Sequence, residues 1–221
     1  ISLLLGFRLP LNFNSPYKAE SITEFWRRWH ISLSSWLRDY LYISMGGNRK
    51  GDFRMYLHLF ITMLLGGLWH GAHMRFVIWG VLHGLALAFH KGWMSFWGKA
   101  DWQKSKAYHF LMGVVTFHFV CFCWIFFRAP SMEAVQKVLY QIAFSFHPEL
   151  ILDMIVGYAK VFSVIAIGFA IHWLPSSWKE NIQYQFRLAP DFVKATAIVM
   201  LALILFQMKS AESQPFIYFQ F

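Results

Sequence analysis

Residues 107–127, AYHFLMGVVTFHFVCFCWIFF, hold no Asp, Glu, Lys or Arg. A helix needs about 20 predominantly apolar residues to cross a bilayer, and this run supplies them. Two further apolar runs, at about 155–174 and 192–208, predict spans of the same kind. Composition agrees, with 57% of residues hydrophobic and 14% charged, against about 25% charged in a soluble domain. The predicted class is all-α, a polytopic integral membrane protein in contact with membrane lipid. The net charge of +9 then belongs to loops facing anionic headgroups. No basic face on a soluble fold points to nucleic acid. Cys121 and Cys123 are two apart in one apolar run, a spacing that does not face one helical residue toward the other. The chain begins at Ile1 with no charged region ahead of its first apolar residues. This predicts no signal peptide and a chain, 1–221, that is the C-terminal portion of one transmembrane domain.

Around those spans the pattern changes. Pro, Asn and Ser mark 9–21 as a loop. Ser21 and Glu24 form an S-x-x-E capping box that opens one amphipathic helix, about 21–43. Its apolar stripe reads Ile22, Phe25, Trp26, Trp29, Leu33, Trp36, Leu37 and Tyr40, which suits a helix lying in the membrane interface. The Gly-rich turn 45–52 ends it. Residues 55–69 and 72–90 are apolar, but the first is short for a straight crossing. It is expected to be a partial or re-entrant helix, returning with 72–90 as a hairpin. The loops 45–54, 91–106 (Lys91, Lys99, Lys104, Lys106) and 175–191 (Lys179, Arg187) then share the basic, cytoplasmic side. An amphipathic stretch is expected at 131–144.

Ionisable residues at membrane depth are costly and are functional candidates by default. Lys160 and His172 lie near span ends and can snorkel; His118 reads as a hydrogen-bonded packing residue. His70 lies among Gly66, Gly67 and Gly71, directly after Trp69. A neutral imidazole in a dry pocket can accept a hydroxyl proton, and the same residue can equally be a satisfied histidine at a helix break. His83 leans to the structural side. His70 and His73 are three apart and could share a face, but this is not the i, i+4 spacing of the helical zinc motif and no acidic partner follows, so a metal site is only weakly signalled. Arg75 reads as snorkelling or as meeting an anionic partner. Histidines 70, 83, 118 and 172 also leave open paired haem ligation, and a transporter or scaffold without chemistry is a third reading.

The stretches FWRRWHISLSSWLRDYLYISMGGNRKG and LLGGLWHGAHMRFVIWGVLHG, followed by VCFCWIFFRAPSMEAVQKVL, resemble the membrane-bound O-acyltransferase family. The resemblance is to its bacterial branch for alginate and peptidoglycan O-acetylation. It implies a helical bundle with amphipathic and re-entrant helices in the bacterial inner membrane. It implies His70 as the catalytic histidine of the W-H-G motif and His30 as the second polar residue. Trp29, Trp36, Arg38, Trp69 and Gly71 are the implied substrate-contacting residues, with no metal. The donor implied is a cytoplasmic thioester, acetyl-CoA, with no bound cofactor. The acceptor is a cell-surface polysaccharide, reached through extracytoplasmic acetyl-transfer partner proteins. D-alanyl transfer to teichoic acid is the near alternative within the family.

Overall fold

The computed structural model describes residues 9–98 and 100–208; Lys99, one of the expected loop cations, lies outside them. Helices are the regular secondary structure of the described residues, which divide into two compact units at Tyr158/Ala159.

The first unit carries α1 (Ile22–Arg28), α2 (Ile31–Trp36), a π-helical segment (Leu37–Tyr42), α3 (Asp52–Trp69), α4 (Met74–Trp97), α5 (Lys106–Arg128), α6 (Met132–Phe144) and α7 (Ile151–Gly157). Ser21 caps α1 as expected, with the return bond of the box falling one residue earlier. Ser21 Oγ accepts from the Glu24 amide at 3.2 Å, and Glu24 Oε2 reaches back to the Glu20 amide at 2.9 Å.

The expected single helix 21–43 is broken at His30, which holds a left-handed φ of 45°. The cause lies outside the helix. The loop 9–21 docks on the break, with the Asn14 amide donating to Arg28 O at 2.8 Å and the Ile31 amide to Asn12 O at 2.9 Å. Asn12 Oδ1 also accepts from the Ser32 amide and hydroxyl, each at 3.0 Å. These bonds satisfy backbone groups that the interruption frees. The predicted apolar stripe splits with the helix: Ile22, Phe25, Trp26 and Leu37 are buried, whereas Trp36 and Tyr40 are exposed.

The expected hairpin is formed by α3 and α4. Glycines let the two backbones touch. A Cβ on Gly67 would lie 2.3 Å from Phe76 O, and one on Gly80 would lie 2.5 Å from Met63 O. The 45–52 turn folds back onto α3, where His58 Nδ1 donates to Gly47 O at 3.2 Å. Helix α5 closes the core with Val120, Cys123 and Phe126 against Trp26 and Trp79, and α6 adds Val135. The expected 91–106 loop is shorter than predicted, because α4 continues to Trp97 and carries Lys91.

The second unit holds α8 (Ala159–Trp173), α9 (Ser176–Leu188) and α10 (Asp191–Met208). The span predicted at 155–174 is interrupted at Tyr158. The predicted 175–191 loop is mostly helix α9; its charged and amide side chains mask it from a search for apolar runs. Among the described residues, α5 alone is by itself long and apolar enough to cross a membrane. Pro148–Gly157 and Ala159–Trp173 meet that criterion only when taken together. The polytopic expectation therefore exceeds what helix length supports here.

Candidate active site

The W-H-G motif is the turn of the hairpin. Trp69 ends α3, His70 caps it with its amide donating to Gly67 O at 3.0 Å, and Gly71 turns the chain at φ 145°. That conformation is open to glycine and strained for other residues. The turn carries the imidazole inward: His70 is buried while Trp69 is half-exposed. Rings from three elements surround it. Ring centroids lie 5.0 Å away at Trp69, 5.4 Å at Trp79 on α4 and 4.9 Å at Phe127 on α5, all edge-on. Phe76 lies 6.2 Å away.

His30 comes from the break between α1 and α2, upstream of the hairpin. The break between α1 and α2 places it close enough to His70 for the charge of one imidazole to act on the other. Burial holds the His30 imidazole below its usual pKa, so it is neutral at pH 7. Its Nδ1 is enclosed and has no partner among the described residues. Trp29 beside it packs on Phe13 (4.9 Å) and Trp124 (5.3 Å). Trp124 and Phe127 are one helical turn apart on α5, so His70 and Trp29, the neighbour of His30, pack on one stretch of that helix. The arrangement offers two imidazoles and apolar walls, which suits proton transfer to and from a hydroxyl.

The other expected contact residues are spread more widely. Trp36 is exposed and packs on Tyr40, 5.4 Å away. Arg38 lies in the π-helical segment, and its guanidinium holds the Asp39 carboxyl below the usual carboxylate range. His73 is exposed at the start of α4. His118 makes the hydrogen bond expected of it, its Nδ1 on Val114 O at 2.8 Å, but it is exposed rather than packed in the interior.

Arg75 neither snorkels nor awaits an anion. It is buried, with Nη1 donating to Phe127 O at 3.0 Å and to Ala129 O at 2.7 Å. Its guanidinium carbon sits 4.2 Å from the Phe76 ring centroid. It thus caps the C-terminus of α5, where a cation opposes the helix dipole, and fixes Phe127 over His70. Sequence reasoning missed this role because the carbonyls lie more than fifty residues downstream.

His83 is fully buried and accepts at Nδ1 from Trp26 Nε1 at 3.3 Å. An indole N–H can only donate, so the neutral ring carries its proton on Nε2. Its neighbour Trp79 lies between it and His70, with centroids 4.7 Å and 5.4 Å away.

The family model for the membrane-bound O-acyltransferase family, MBOAT, matches residues 1–132. The chain belongs to this family. The chain is 49% identical over 146 residues to a Pseudomonas aeruginosa protein named "Probable alginate O-acetylase AlgI", covering 66% of this chain and 27% of that protein. It is 45% identical over 144 residues to a Helicobacter pylori peptidoglycan O-acetyltransferase, covering 63% and 26%. A Bacillus subtilis teichoic acid D-alanyltransferase is 33% identical over 141 residues, covering 60% and 36%. The chain thus spans about a quarter to a third of these curated relatives. The MBOAT match covers both histidines, the hairpin and α5, the elements that build the aromatic chamber.

Proposed function

We propose that the protein is a membrane-embedded O-acyltransferase that moves an acetyl group from a cytoplasmic thioester toward a cell-surface polysaccharide. One observation carries the reading: in a chain of this family, the W-H-G turn buries His70 in an aromatic box within electrostatic reach of His30. In this reading Nε2 or Nδ1 of neutral His70 accepts the proton of an acceptor hydroxyl as its oxygen attacks the thioester carbonyl carbon. The tetrahedral intermediate collapses, the carbon–sulfur bond breaks, and the imidazolium returns the proton to the thiolate. The products are an oxygen ester and a free thiol. His30 orients or assists His70, Trp69 and Gly71 shape the approach to it, and Trp29 holds the His30 break in place.

Acetyl transfer is favoured over D-alanyl transfer by the higher identity to the two O-acetylating relatives. The donor is acetyl-CoA, no cofactor is bound, and extracytoplasmic proteins complete delivery. The protein crosses the bacterial inner membrane several times.

The test is ester-linked acetate on the surface polysaccharide of cells lacking the endogenous enzyme, complemented with wild type, His70→Ala or His30→Ala at equal membrane abundance. His70→Ala is expected to abolish the acetate, and His30→Ala to reduce it by a factor of at least about 100, the scale of a lost acid–base group. Normal acetylation by His70→Ala would leave His70 a structural residue and return the scaffold reading.

A further inference from the structure

Helix α1 has seven residues, too few to hold a helix in place by its own hydrogen bonds. Yet its C-terminal end carries the break that brings His30 within electrostatic reach of His70. Its position is therefore set by what it touches. Glu20, Thr23 and Trp26, each three residues after the last, all meet a histidine. Glu20 Oε2 pairs with His109 Nδ1 of α5 at 2.5 Å, and Thr23 Oγ1 bonds His90 Nδ1 of α4 at 2.8 Å. Trp26 Nε1 donates to His83 Nδ1 of α4 at 3.3 Å. The first contact is exposed and the second half-buried, so water competes for both. The third is enclosed, because His83 is fully buried.

An imidazole is a costly choice for that place. Phe25, Trp26, Trp79 and Phe119 surround it, with ring centroids 6.3, 5.2, 4.7 and 5.6 Å away. An apolar ring would bury there without the desolvation of two ring nitrogens. What the imidazole adds is direction. A buried indole N–H must face an acceptor, and facing His83 Nδ1 fixes the Trp26 ring and with it the rotation of α1 about its axis. His83 is also a junction between the walls of the two site histidines. On one side Phe25 lies nearly parallel to it, and Trp29 lies nearly parallel to Phe25 with centroids 5.7 Å apart; Trp29 adjoins His30. On the other side Trp79 lies edge-on to both His83 and His70.

We infer that His83 is a positioning residue for the His30–His70 pair. By accepting from Trp26 it braces α1 on α4, so that the break at His30 and the W-H-G turn keep a fixed separation and facing. It takes no proton in the reaction and acts through Trp26, Trp79 and the Phe25–Trp29 stack. Its role in transfer rests on the acyltransferase reading, whereas the brace between α1 and α4 rests on the geometry alone.

The experiment uses the purified protein in nanodiscs, with acetyl transfer to its acceptor system and amide hydrogen exchange of residues 22–33 read side by side. His83→Phe keeps a ring and removes the acceptor. His83→Asn places a carbonyl oxygen near the position of Nδ1 and keeps it. His118→Phe makes the first exchange at an exposed helical site and serves as the control. His83→Phe is expected to lower kcat by about 10- to 100-fold, the scale of a small misplacement of reacting groups, with the donor KM unchanged and exchange faster over 22–33 but not over α5. His83→Asn is expected to recover most of both, and His118→Phe to match wild type. Trp26→Phe/His83→Phe is expected to be no slower than the slower of its two single variants, because the two residues share one bond. Wild-type kcat or unchanged exchange over 22–33 in His83→Phe would overturn the inference. So would a His83→Asn as slow as His83→Phe, which makes the residue packing alone, or losses that multiply in the double variant. His70→Ala separates the two claims. If it transfers acetate normally, the acyltransferase reading falls, and exchange over 22–33 still decides whether His83 braces α1.

Discussion

At the scale of single residues, burial and hydrogen bonding sort the histidines into different roles. His58 ties the Gly-rich turn to α3, His83 is locked into one tautomer by Trp26, and His118 satisfies itself on its own helix. His70 differs in being buried at a chain turn, with aromatic rings from three helices along its sides. Local sequence placed it among glycines but left base and structural histidine equally open, because the rings that enclose it come from Trp79 and Phe127, distant in the chain. Arg75 was still less legible, since its acceptors are the last carbonyls of α5. Replacing Arg75 by Met strands those carbonyls in an apolar setting. It should lower stability by about 1.5–3 kcal/mol, read as a reduced unfolding temperature in detergent, with some activity retained where protein survives. Gly71→Ala forces a side chain onto a φ of 145°. A cost of about 1–3 kcal/mol is expected, with loss of transfer exceeding loss of abundance because the turn aims His70.

Helix periods and caps were readable at the scale of elements. The Ser21 cap, the hairpin, α5 and the amphipathic α6 all follow from local pattern. The break at His30 was not readable, because an uninterrupted helical period runs through it and the cause is the asparagines of a loop some twenty residues earlier. Removing that cause is a clean test. Asn12→Ala deletes the acceptor of both Ser32 bonds, and transfer should fall at least about tenfold while the protein still reaches the membrane. Losing membrane abundance together with activity would instead make Asn12 a folding residue. The α3–α4 seam gives a second contrast. Gly67→Ala puts a methyl 2.3 Å from the Phe76 carbonyl and should cost about 1–3 kcal/mol or more by overpacking. Gly113→Ala on α5 meets nothing within 4 Å and should be neutral to about 1 kcal/mol stabilising. Unfolding temperatures of the two variants in the same detergent decide between them.

For the whole molecule, composition indicated membrane residence and helical class, whereas the number of crossings was not settled by apolar runs. Half-apolar helices such as α4 interrupt their hydropathy with His83, Arg75 and glycines that serve packing, and α9 hides a helix under polar side chains. The family match and the buried histidine turn together make acyl transfer the central claim of this account. Its most direct measurement is single-turnover transfer from radiolabelled acetyl-CoA by the purified protein with its acceptor system. Wild type, His70→Ala and His118→Ala are compared at equal folded concentration. The account predicts that His118→Ala matches wild type and that His70→Ala loses at least about 100-fold in rate. A His70→Ala protein that transfers acetate at the wild-type rate would contradict it.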